Sequence, residues 1–508
     1  MATQRSEERS SQELLVNNLA LSLASAVLLT LVLPGFGLTW LAPVALAPVL
    51  IACARETSWK RRWLFGWAAG FVFWCGVCPW IRFVLEVHGG MGRWGGWGGF
   101  ALFGLYKGLP LAVFAALAGF LLPRWWAIPS VAALWTGIER THGFFGFAWL
   151  DLGNAGIDMP LPMRLAPITG VYGLSFLFAM LACGAASVIL HRPRRQLAWL
   201  LSLVVLLGLP RAPRPQPGTQ KALIVQPNID TELQWTAEVL REMQLKLALL
   251  SRARGAHLIL WPEVPAPFYV DDPAFRDYAA GVARASETPF LFGAVGRTAA
   301  REPLNSAALF DAAGNLIDRY DKIDLVPFGE FIPPLFGWVN RITHEAGDFV
   351  PGTRRVIFPL DGHRMAAFIC YESAFPDLVR EFTHLGAEVL VNLSNDGYFG
   401  HSAAHEQHLA IVRMRAAENR RWILRATNDG ISAAIDPRGR VVQRLAPFAQ
   451  TAALVPYDYG REETPYTRYG DWFAWGCFAL GLALAGYGAR LPAQLRPTSD
   501  GSPAHRRP

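Results

Sequence analysis

The chain has 508 residues, of which 52% are hydrophobic and only 17% are charged, and it contains 19 Trp and 31 Phe. Several apolar runs approach the length of about 20 residues that spans a bilayer, so the composition is typical of a membrane protein. The formal net charge of +7 does not indicate nucleic-acid binding, because no basic cluster in a soluble segment is interleaved with base-stacking aromatic residues.

Eight apolar runs are predicted to cross the membrane. A tight turn at Pro34–Gly37 joins the first two, and the fifth is the least regular because Pro129 and Gly137 interrupt it. A cleaved signal peptide is a poor interpretation of the first run, because the leader before it carries both charge signs and no small-residue cleavage site follows. The predicted spans are 19–36, 37–53, 63–85, 97–122, 125–141, 165–190, 195–210 and 472–489.

The basic residues between these runs orient the bundle. Those between the runs are Arg55, Lys60, Arg61, Arg62, Arg124, Arg192, Arg194 and Arg195, and Arg490, Arg496, Arg506 and Arg507 follow the last run. All of them lie on one side of the membrane if the N-terminus is cytoplasmic, as the positive-inside rule requires. We therefore expect a bundle of seven helices over 1–210, an extracytoplasmic domain over 211–465, and an eighth helix with a cytoplasmic tail over 466–508.

Lys107 interrupts the fourth predicted span. A lysine at this depth costs on the order of 2.5–3.5 kcal/mol on insertion scales, so we expect it to snorkel or to have a partner. One interpretation is a structural pair with Glu139. The other is that Lys107 or Arg82 holds the phosphate or an acyl-glycerol carbonyl of a bound lipid.

The segment over 211–465 is large enough for one domain with a substantial core. It begins with a Pro-rich linker at 210–217 and continues with short apolar runs bounded by turn residues, separated by helical patterns such as Thr236–Ser251 and His405–Arg420. This alternation predicts a layered α/β domain. The predicted strands are Ala222–Val225, His257–Trp261, Phe290–Val295, Met365–Ile369 and Glu388–Asn392.

A weak internal repeat lies within this domain. Residues Asp311–Arg319 match Asp436–Arg444, with Asp, Gly and Arg at the same places in both. The match predicts two antiparallel hairpins in related positions of two sheets.

Three residues at strand ends suggest acyl-transfer chemistry. Cys370 is the only cysteine between Cys183 and Cys477, so it has no disulfide partner in its own domain, and it follows a buried strand as a nucleophile does. Its thiol has a free pKa of roughly 8.5 and needs a base, which Glu263 can supply. Lys322 and the N–H of Tyr371 can stabilise an oxyanion. Each residue also has a structural interpretation: a buried cysteine, a helix-start carboxylate and a solvated hairpin charge.

The flanking sequences resemble the nitrilase superfamily and, within it, the apolipoprotein N-acyltransferases. The resemblance covers nearly the whole chain, since the predicted membrane frame also fits. The matching segments are Val225–Asn228, Trp261–Glu263, Asp321–Lys322 with Leu325–Glu330, Ile369–Glu372 and Asn392–Asp396.

The resemblance implies an αββα sandwich on an eight-helix bundle, at the outer face of a bacterial inner membrane. Cys370 would take an acyl chain from a phospholipid, typically phosphatidylethanolamine, and pass it to the α-amine of a diacylglyceryl-cysteine apolipoprotein. The family pattern makes Glu263 the base, Lys322 the oxyanion stabiliser and Cys370 the nucleophile. By the same matches, the supporting residues are Glu330, Trp235, Tyr371 and Glu372.

Neither a cofactor nor a metal is expected, because no His and Cys cluster and no Walker-type phosphate loop occurs in the sequence. Two alternatives stay open. In a membrane-tethered amidase or related carbon–nitrogen hydrolase, water would take the second step. A transporter or scaffold with an inactive domain would not need the Glu263, Lys322 and Cys370 set.

Overall fold

The computed structural model describes residues 2–144, 146–211, 217–252, 254–327, 329–331 and 349–492, with side chains from residue 11 onward. Most of the predicted linker at 210–217, Phe328 of the matching segment and the tail after 492 lie outside these residues. In the N-terminal part the helices are α1 (Ala2–Leu31), α2 (Ala47–Arg55), α3 (Trp59–Val77), α4 (Trp80–Phe83), α5 (Gly92–Lys107), α6 (Leu109–Leu121), α7 (Ala127–Arg140), α8 (Ala166–Thr169), α9 (Val171–Ile189), α10 (Arg194–Leu197) and α11 (Val205–Gly208).

Four helical segments in the described residues are long and apolar enough to cross a membrane, or five if the bent pair over 59–88 counts as one span. They are Ser11–Leu31, Gly92–Leu121, Val171–Ile189 and the C-terminal helix. The predicted spans at 37–53, 125–141 and 195–210 correspond to shorter helices or to 3-10 turns. The apolar helical bundle is therefore present, whereas the prediction that eight segments cross the membrane stays a prediction.

Small residues let the bundle helices approach closely, as is common between helices in membranes. A Cβ on Gly70 of α3 would lie 2.6 Å from the carbonyl oxygen of Gly108, at the junction of α5 and α6. A Cβ on Gly137 of α7 would lie 2.4 Å from the Cα of Phe478 in the C-terminal helix. The C-terminal helix thus packs back into the N-terminal bundle.

The rest of the chain forms two six-stranded sheets with helices outside them. The strands are β1 (Gln220–Gln226), β2 (Leu258–Leu260), β3 (Phe290–Arg297), β4 (Pro303–Phe310), β5 (Leu316–Asp321), β6 (Phe358–Leu360), β7 (His363–Ile369), β8 (Val389–Ser394), β9 (Ile423–Thr427), β10 (Ala433–Ile435), β11 (Val441–Arg444) and β12 (Thr451–Tyr457). The helices are α12 (Ala237–Leu250), α13 (Pro273–Ser286), α14 (Pro376–His384), α15 (Ala404–Asn419), α16 (Pro465–Tyr469) and α17 (Trp472–Arg490). The strand predictions are confirmed to within one or two residues at each end.

Strand alternation explains the layers. Leu223 and Val225 of β1 pack with residues of α12 and α13 in one buried cluster. Ala222 and Ile224, which point the other way, belong to the cluster shared with the second sheet, and β1 lies against β9 while β4 lies against β7. The two sheets therefore pack face to face between helices, which is the expected αββα sandwich.

The two sheets have the same topology. Their strand orders are β12-β1-β2-β3-β4-β5 and β6-β7-β8-β9-β10-β11 when the second is read from its β6 edge. In each sheet the second, third and fourth strands are parallel and the outer pairings are antiparallel. The predicted hairpins are the β4–β5 and β10–β11 pairs, which occupy equivalent edges, so the internal repeat is a real structural repeat.

The bundle and the sandwich share one continuous hydrophobic core. At their junction Gln407 of α15, 2% exposed, makes four hydrogen bonds. Its Oε1 accepts from the indole N–H groups of Trp80 and Trp149, at 3.2 and 2.9 Å. Its Nε2 donates to the main-chain oxygens of Val77 and Pro34, at 2.8 and 3.3 Å. This one side chain connects the sandwich to three separate segments of the bundle.

The intramembrane charges have partners other than those expected. The pairing of Lys107 with Glu139 is wrong, because the Glu139 carboxylate instead accepts from the Leu152 N–H at 2.7 Å. Arg82 forms an ion pair with Glu86. The Lys107 ammonium donates to the main-chain oxygens of His142 and Phe147, at 3.4 and 2.8 Å. Lys107 therefore anchors the loop that follows α7, and main-chain carbonyls offset the cost of its burial.

Candidate active site

The candidate nucleophile lies where the second sheet meets a tight turn. Cys370 directly follows β7 and opens a 3-10 turn over Cys370–Ala374. Its φ is +51°, a left-handed conformation that costs a residue with a side chain. The residue is 7% exposed. The sequence prediction that Cys370 stands at the end of a buried strand is confirmed.

Glu263 follows the first sheet, three residues after Leu260 at the end of β2. Gly293 in β3 makes room for it, because a Cβ there would lie 2.7 Å from the Glu263 Cα and 2.4 Å from the Pro262 oxygen. Glu263 Oε2 accepts a hydrogen bond from the main-chain N–H of Asn395 at 2.8 Å. Asn395 directly follows β8 in the second sheet, so this bond joins the carboxyl ends of strands in both sheets.

Lys322 lies between two carboxylates. It directly follows β5 and is 1% exposed. Its Nζ is 3.2 Å from Glu263 Oε1 and 2.9 Å from Glu330. The Glu330 carboxylate also accepts a hydrogen bond from the Val326 N–H at 2.8 Å. This bond fixes the turn that carries Glu330. The structure thus brings Glu263, Lys322 and Glu330 into one buried cluster.

Asn305 completes this cluster and was missed from the sequence. Its Nδ2 donates to Glu263 at 2.7 Å and to Glu330 at 2.6 Å. Carboxylates accept only, so the amide nitrogen must face both of them. A polar residue inside the buried strand β4 was the available signal.

The electrostatics of the cluster suit a thiol that must be deprotonated during reaction. Burial raises the pKa of Cys370, and Glu263 raises that pKa further, while Lys322 opposes the rise. Burial alone would lower the pKa of Lys322, but Glu263 and Glu330 outweigh it and hold that pKa well above its usual range. The resting site therefore favours a neutral thiol at Cys370 and a charged ammonium at Lys322.

Glu372 supports the turn that carries Cys370. Its Oε2 accepts from the Ile369 N–H at 2.6 Å, directly before the cysteine. Its Oε1 accepts from Tyr320 Oη at 2.6 Å and from the Ile323 N–H at 2.7 Å. Burial raises the pKa of Glu372 to about 7, although these donors act in the opposite direction. Glu372 thus joins the turn after β7 to the segment that carries Lys322.

Tyr371 joins the same turn to the membrane bundle. Its hydroxyl accepts from the Ala148 N–H at 2.8 Å. Its ring stacks with those of Phe147 and Trp149, whose centroids lie 6.0 and 6.4 Å from the centroid of the Tyr371 ring. These residues belong to the loop that Lys107 anchors, so the residue after the nucleophile contacts the bundle directly.

Trp235 is separate from these residues. It lies between β1 and α12 and is 36% exposed, and across the described residues no hydrogen bond or ring contact joins it to the cluster. Its supporting role stays a prediction. Among the described residues, no group of three His, Cys, Asp or Glu side chains could hold a metal ion.

Two family models match the chain. The carbon–nitrogen hydrolase model covers residues 221–461, and the model of the apolipoprotein N-acyltransferase N-terminal domain covers residues 25–184. Among solved structures, an amidase from Nesterenkonia of the nitrilase superfamily is 19% identical, with a TM-score of 0.37 over 51% of this chain and 94% of that chain.

Curated relatives match over nearly their whole length. The apolipoprotein N-acyltransferase of Geobacter metallireducens is 34% identical, covering 92% of this chain and 94% of the relative. That of Nitrosomonas europaea is 33% identical, covering 89% and 94%. With its apolar bundle and its carbon–nitrogen hydrolase domain, the chain belongs to the apolipoprotein N-acyltransferase family.

Proposed function

We propose that this protein transfers an acyl chain from a phospholipid to the N-terminal amine of diacylglyceryl-cysteine apolipoproteins, with Cys370 as nucleophile, Glu263 as base and Lys322 as oxyanion stabiliser. The observation that carries the proposal is the buried ammonium of Lys322, 3.2 Å from Glu263 and 2.9 Å from Glu330, which acts on the pKa of Cys370. Glu330, Tyr371, Glu372 and Trp235 support this set.

In the first half-reaction Glu263 accepts the thiol proton while the Cys370 sulfur attacks the ester carbonyl of the phospholipid. Negative charge develops on the carbonyl oxygen, where the Lys322 ammonium and a main-chain N–H stabilise it. The intermediate then collapses, and the departing lysophospholipid oxygen takes the proton from Glu263. The products are a Cys370 thioester and a neutral lysophospholipid.

In the second half-reaction the neutral α-amine of the acceptor attacks the thioester carbonyl and gives its proton to Glu263. The carbon–sulfur bond breaks, and the leaving thiolate takes that proton back. The products are an amide and the free Cys370 thiol, so the enzyme returns to its starting state. The two half-reactions together conserve protons and the acyl group without a cofactor.

Transfer between two lipids suits the contact between the site and the bundle. Tyr371 stacks on Phe147 and Trp149 of the bundle loop, so the nucleophile is held beside membrane helices, where both acyl chains can stay in hydrocarbon. We further propose domains over 1–210, 211–465 and 466–508. The sandwich lies on the periplasmic side of a bacterial inner membrane, and both termini are cytoplasmic, as the basic residues between the spans favour.

The test compares transfer with hydrolysis. Purified protein receives phosphatidylethanolamine with a labelled acyl chain, with and without a diacylglyceryl-cysteine peptide, and the labelled products are separated. We expect label in the amide when the peptide is present and little free fatty acid. Release of free fatty acid at the same rate with or without the peptide would instead identify a hydrolase.

A further inference from the structure

A histidine contacts the main chain of the candidate nucleophile. It follows Cys370 in the sequence, whereas Glu263 and Lys322 precede it. His408 lies in α15 and is 0% exposed. Its Nε2 is 3.1 Å from the main-chain oxygen of Cys370 and 2.9 Å from Ser373 Oγ. Cys370 and Ser373 are the first and fourth residues of the same five-residue 3-10 turn, so one imidazole nitrogen contacts two residues of that turn.

The other ring nitrogen of His408 is enclosed by a buried ion pair. Its Nδ1 is 3.0 Å from Asp396 Oδ1 and 3.1 Å from Arg425 Nη2. Arg425 also donates to Asp396 Oδ2 at 2.6 Å, and Ser394 Oγ donates to Asp396 Oδ1 at 2.7 Å. Asp396, Arg425 and Ser394 are all 0% exposed.

The contact with Cys370 requires a proton on Nε2. A carbonyl oxygen can only accept, so the 3.1 Å contact is a hydrogen bond only when Nε2 donates. At Nδ1 the two neighbours compete, because the Arg425 guanidinium can only donate and the Asp396 carboxylate accepts. Burial, followed by the Arg425 charge, lowers the pKa of His408, while Asp396 acts in the opposite direction.

The nucleophile needs such a contact because its backbone is held in a costly conformation. Cys370 has a φ of +51°, which persists only where surrounding contacts fix it. On the amino side Glu372 holds the Ile369 N–H at 2.6 Å. On the carboxyl side His408 holds the carbonyl oxygen of Cys370.

We propose that His408 is a positioning residue for the nucleophile: it donates from Nε2 to the Cys370 carbonyl and holds the left-handed turn that presents the thiol to Glu263. Asp396 and Arg425 orient the ring. The inference rests on the proposed role of Cys370 and adds a residue that acts through its main chain.

The kinetic test uses the full-length protein in phospholipid micelles. Single-turnover release of lysophospholipid is measured for wild type, His408→Leu, which removes the donor, and His408→Gln, whose amide N–H can replace Nε2. Leu409→Ala is the matched control, because Leu409 is the next residue of α15 and packs in the core. We expect His408→Leu to be about 100-fold slower at an unchanged KM for phospholipid, since small misplacements of a nucleophile cost that much. His408→Gln should regain at least about tenfold, and the control should lower the thermal midpoint without this loss.

The proposal is overturned if His408→Leu reacts at the wild-type rate, or if His408→Gln is as slow as His408→Leu. A spectroscopic measurement on wild type decides the matter even if His408→Leu does not fold. The ¹⁵N shifts of His408, assigned by their loss in His408→Gln, should show a protonated Nε2 at neutral pH, and an unprotonated Nε2 contradicts the proposal. Cys370→Ala separates the two claims: acyl transfer by that variant contradicts the proposed function itself, whereas an inactive Cys370→Ala beside a fully active His408→Leu contradicts only the positioning role.

Discussion

Lys322 is the residue on which the cluster depends. Its ammonium donates to Glu263 and Glu330, and the amide of Asn305 donates to the same two carboxylates. In the proposed mechanism Glu263 acts as the base while Glu330 keeps Lys322 in place. Glu263 also accepts a hydrogen bond from the Asn395 N–H of the other sheet. Glu330 lies in the turn after β5.

This division predicts different defects for the two glutamates. Glu263→Gln removes the base, so thioester formation should fall by at least about 100-fold. Glu330→Gln keeps an oxygen for the Val326 N–H but loses a charge beside Lys322, so we expect kcat to fall by about tenfold with the thermal midpoint nearly unchanged. Glu302→Gln is the matched control, because Glu302 is an exposed loop carboxylate hydrogen-bonded to Thr298. Normal turnover in Glu330→Gln would show that its contact with Lys322 is not used in the reaction.

Glu372 should make stability depend on pH. Burial raises its pKa from 4.5 to about 7, so the folded state favours the protonated acid. A raised pKa gives stability that is fully present below the unfolded pKa and is lost as the pH rises through the folded value. The loss is on the order of 3 kcal/mol for a shift of this size.

The measurement is the thermal midpoint of wild type and Glu372→Gln between about pH 4 and about pH 8. Position 372 does not titrate in the variant, so the wild-type midpoint should decline relative to that of Glu372→Gln as the pH rises. A difference that stays constant across this range would show that the folded pKa of Glu372 is not raised.

Helix α15 connects the bundle to the site through two consecutive residues. Gln407 bonds to Trp80, Trp149 and two carbonyls of the bundle, while His408 contacts Cys370. Because the helix is buried along most of its length, these two adjacent contacts are held in a fixed position relative to each other. Lys107 adds a second connection by anchoring the loop that contacts Tyr371.

The first connection predicts a stability effect. Gln407→Leu leaves two indole N–H groups and two carbonyls without their partner, which should cost on the order of 2–4 kcal/mol. Met414→Leu, at a buried position of the same helix, is the volume-matched control and should cost less than about 1.5 kcal/mol. Thermal unfolding in detergent checks both, and equal midpoints for Gln407→Leu and wild type would show that the junction does not depend on this side chain.

The sequence predicted elements and strand ends better than contacts between elements. Cys370, Glu263 and Lys322 were predicted because each follows a strand, and the carboxyl ends of strands are where ligands meet an α/β sheet. Asn305 and His408 lie inside a strand and a helix, and their partners are 42 and 38 residues away. Their polar side chains gave no local sign of these contacts, and the carbonyl partners of Lys107 left no trace in its own helix.

The repeated topology of the sandwich places these residues in an asymmetric site. β1 and β7 are equivalent strands, and a residue in the left-handed conformation follows each of them: Cys370, with φ +51°, directly after β7 and Asn228, with φ +52°, two residues after the end of β1. In the first half the Asn228 N–H donates to the Asn428 oxygen, and the turn is structural. In the second half the left-handed residue is Cys370, so under the proposed mechanism one copy of the repeat carries the nucleophile and the other carries its base.

An acyl adduct on Cys370 is the most direct test of this mechanism. Wild-type protein is incubated with phospholipid without acceptor, digested and examined by mass spectrometry. We predict that the peptide containing Cys370 gains the mass of one acyl chain, that neutral hydroxylamine removes it, and that Cys370→Ala shows neither adduct nor turnover. Full N-acylation by Cys370→Ala would contradict the account.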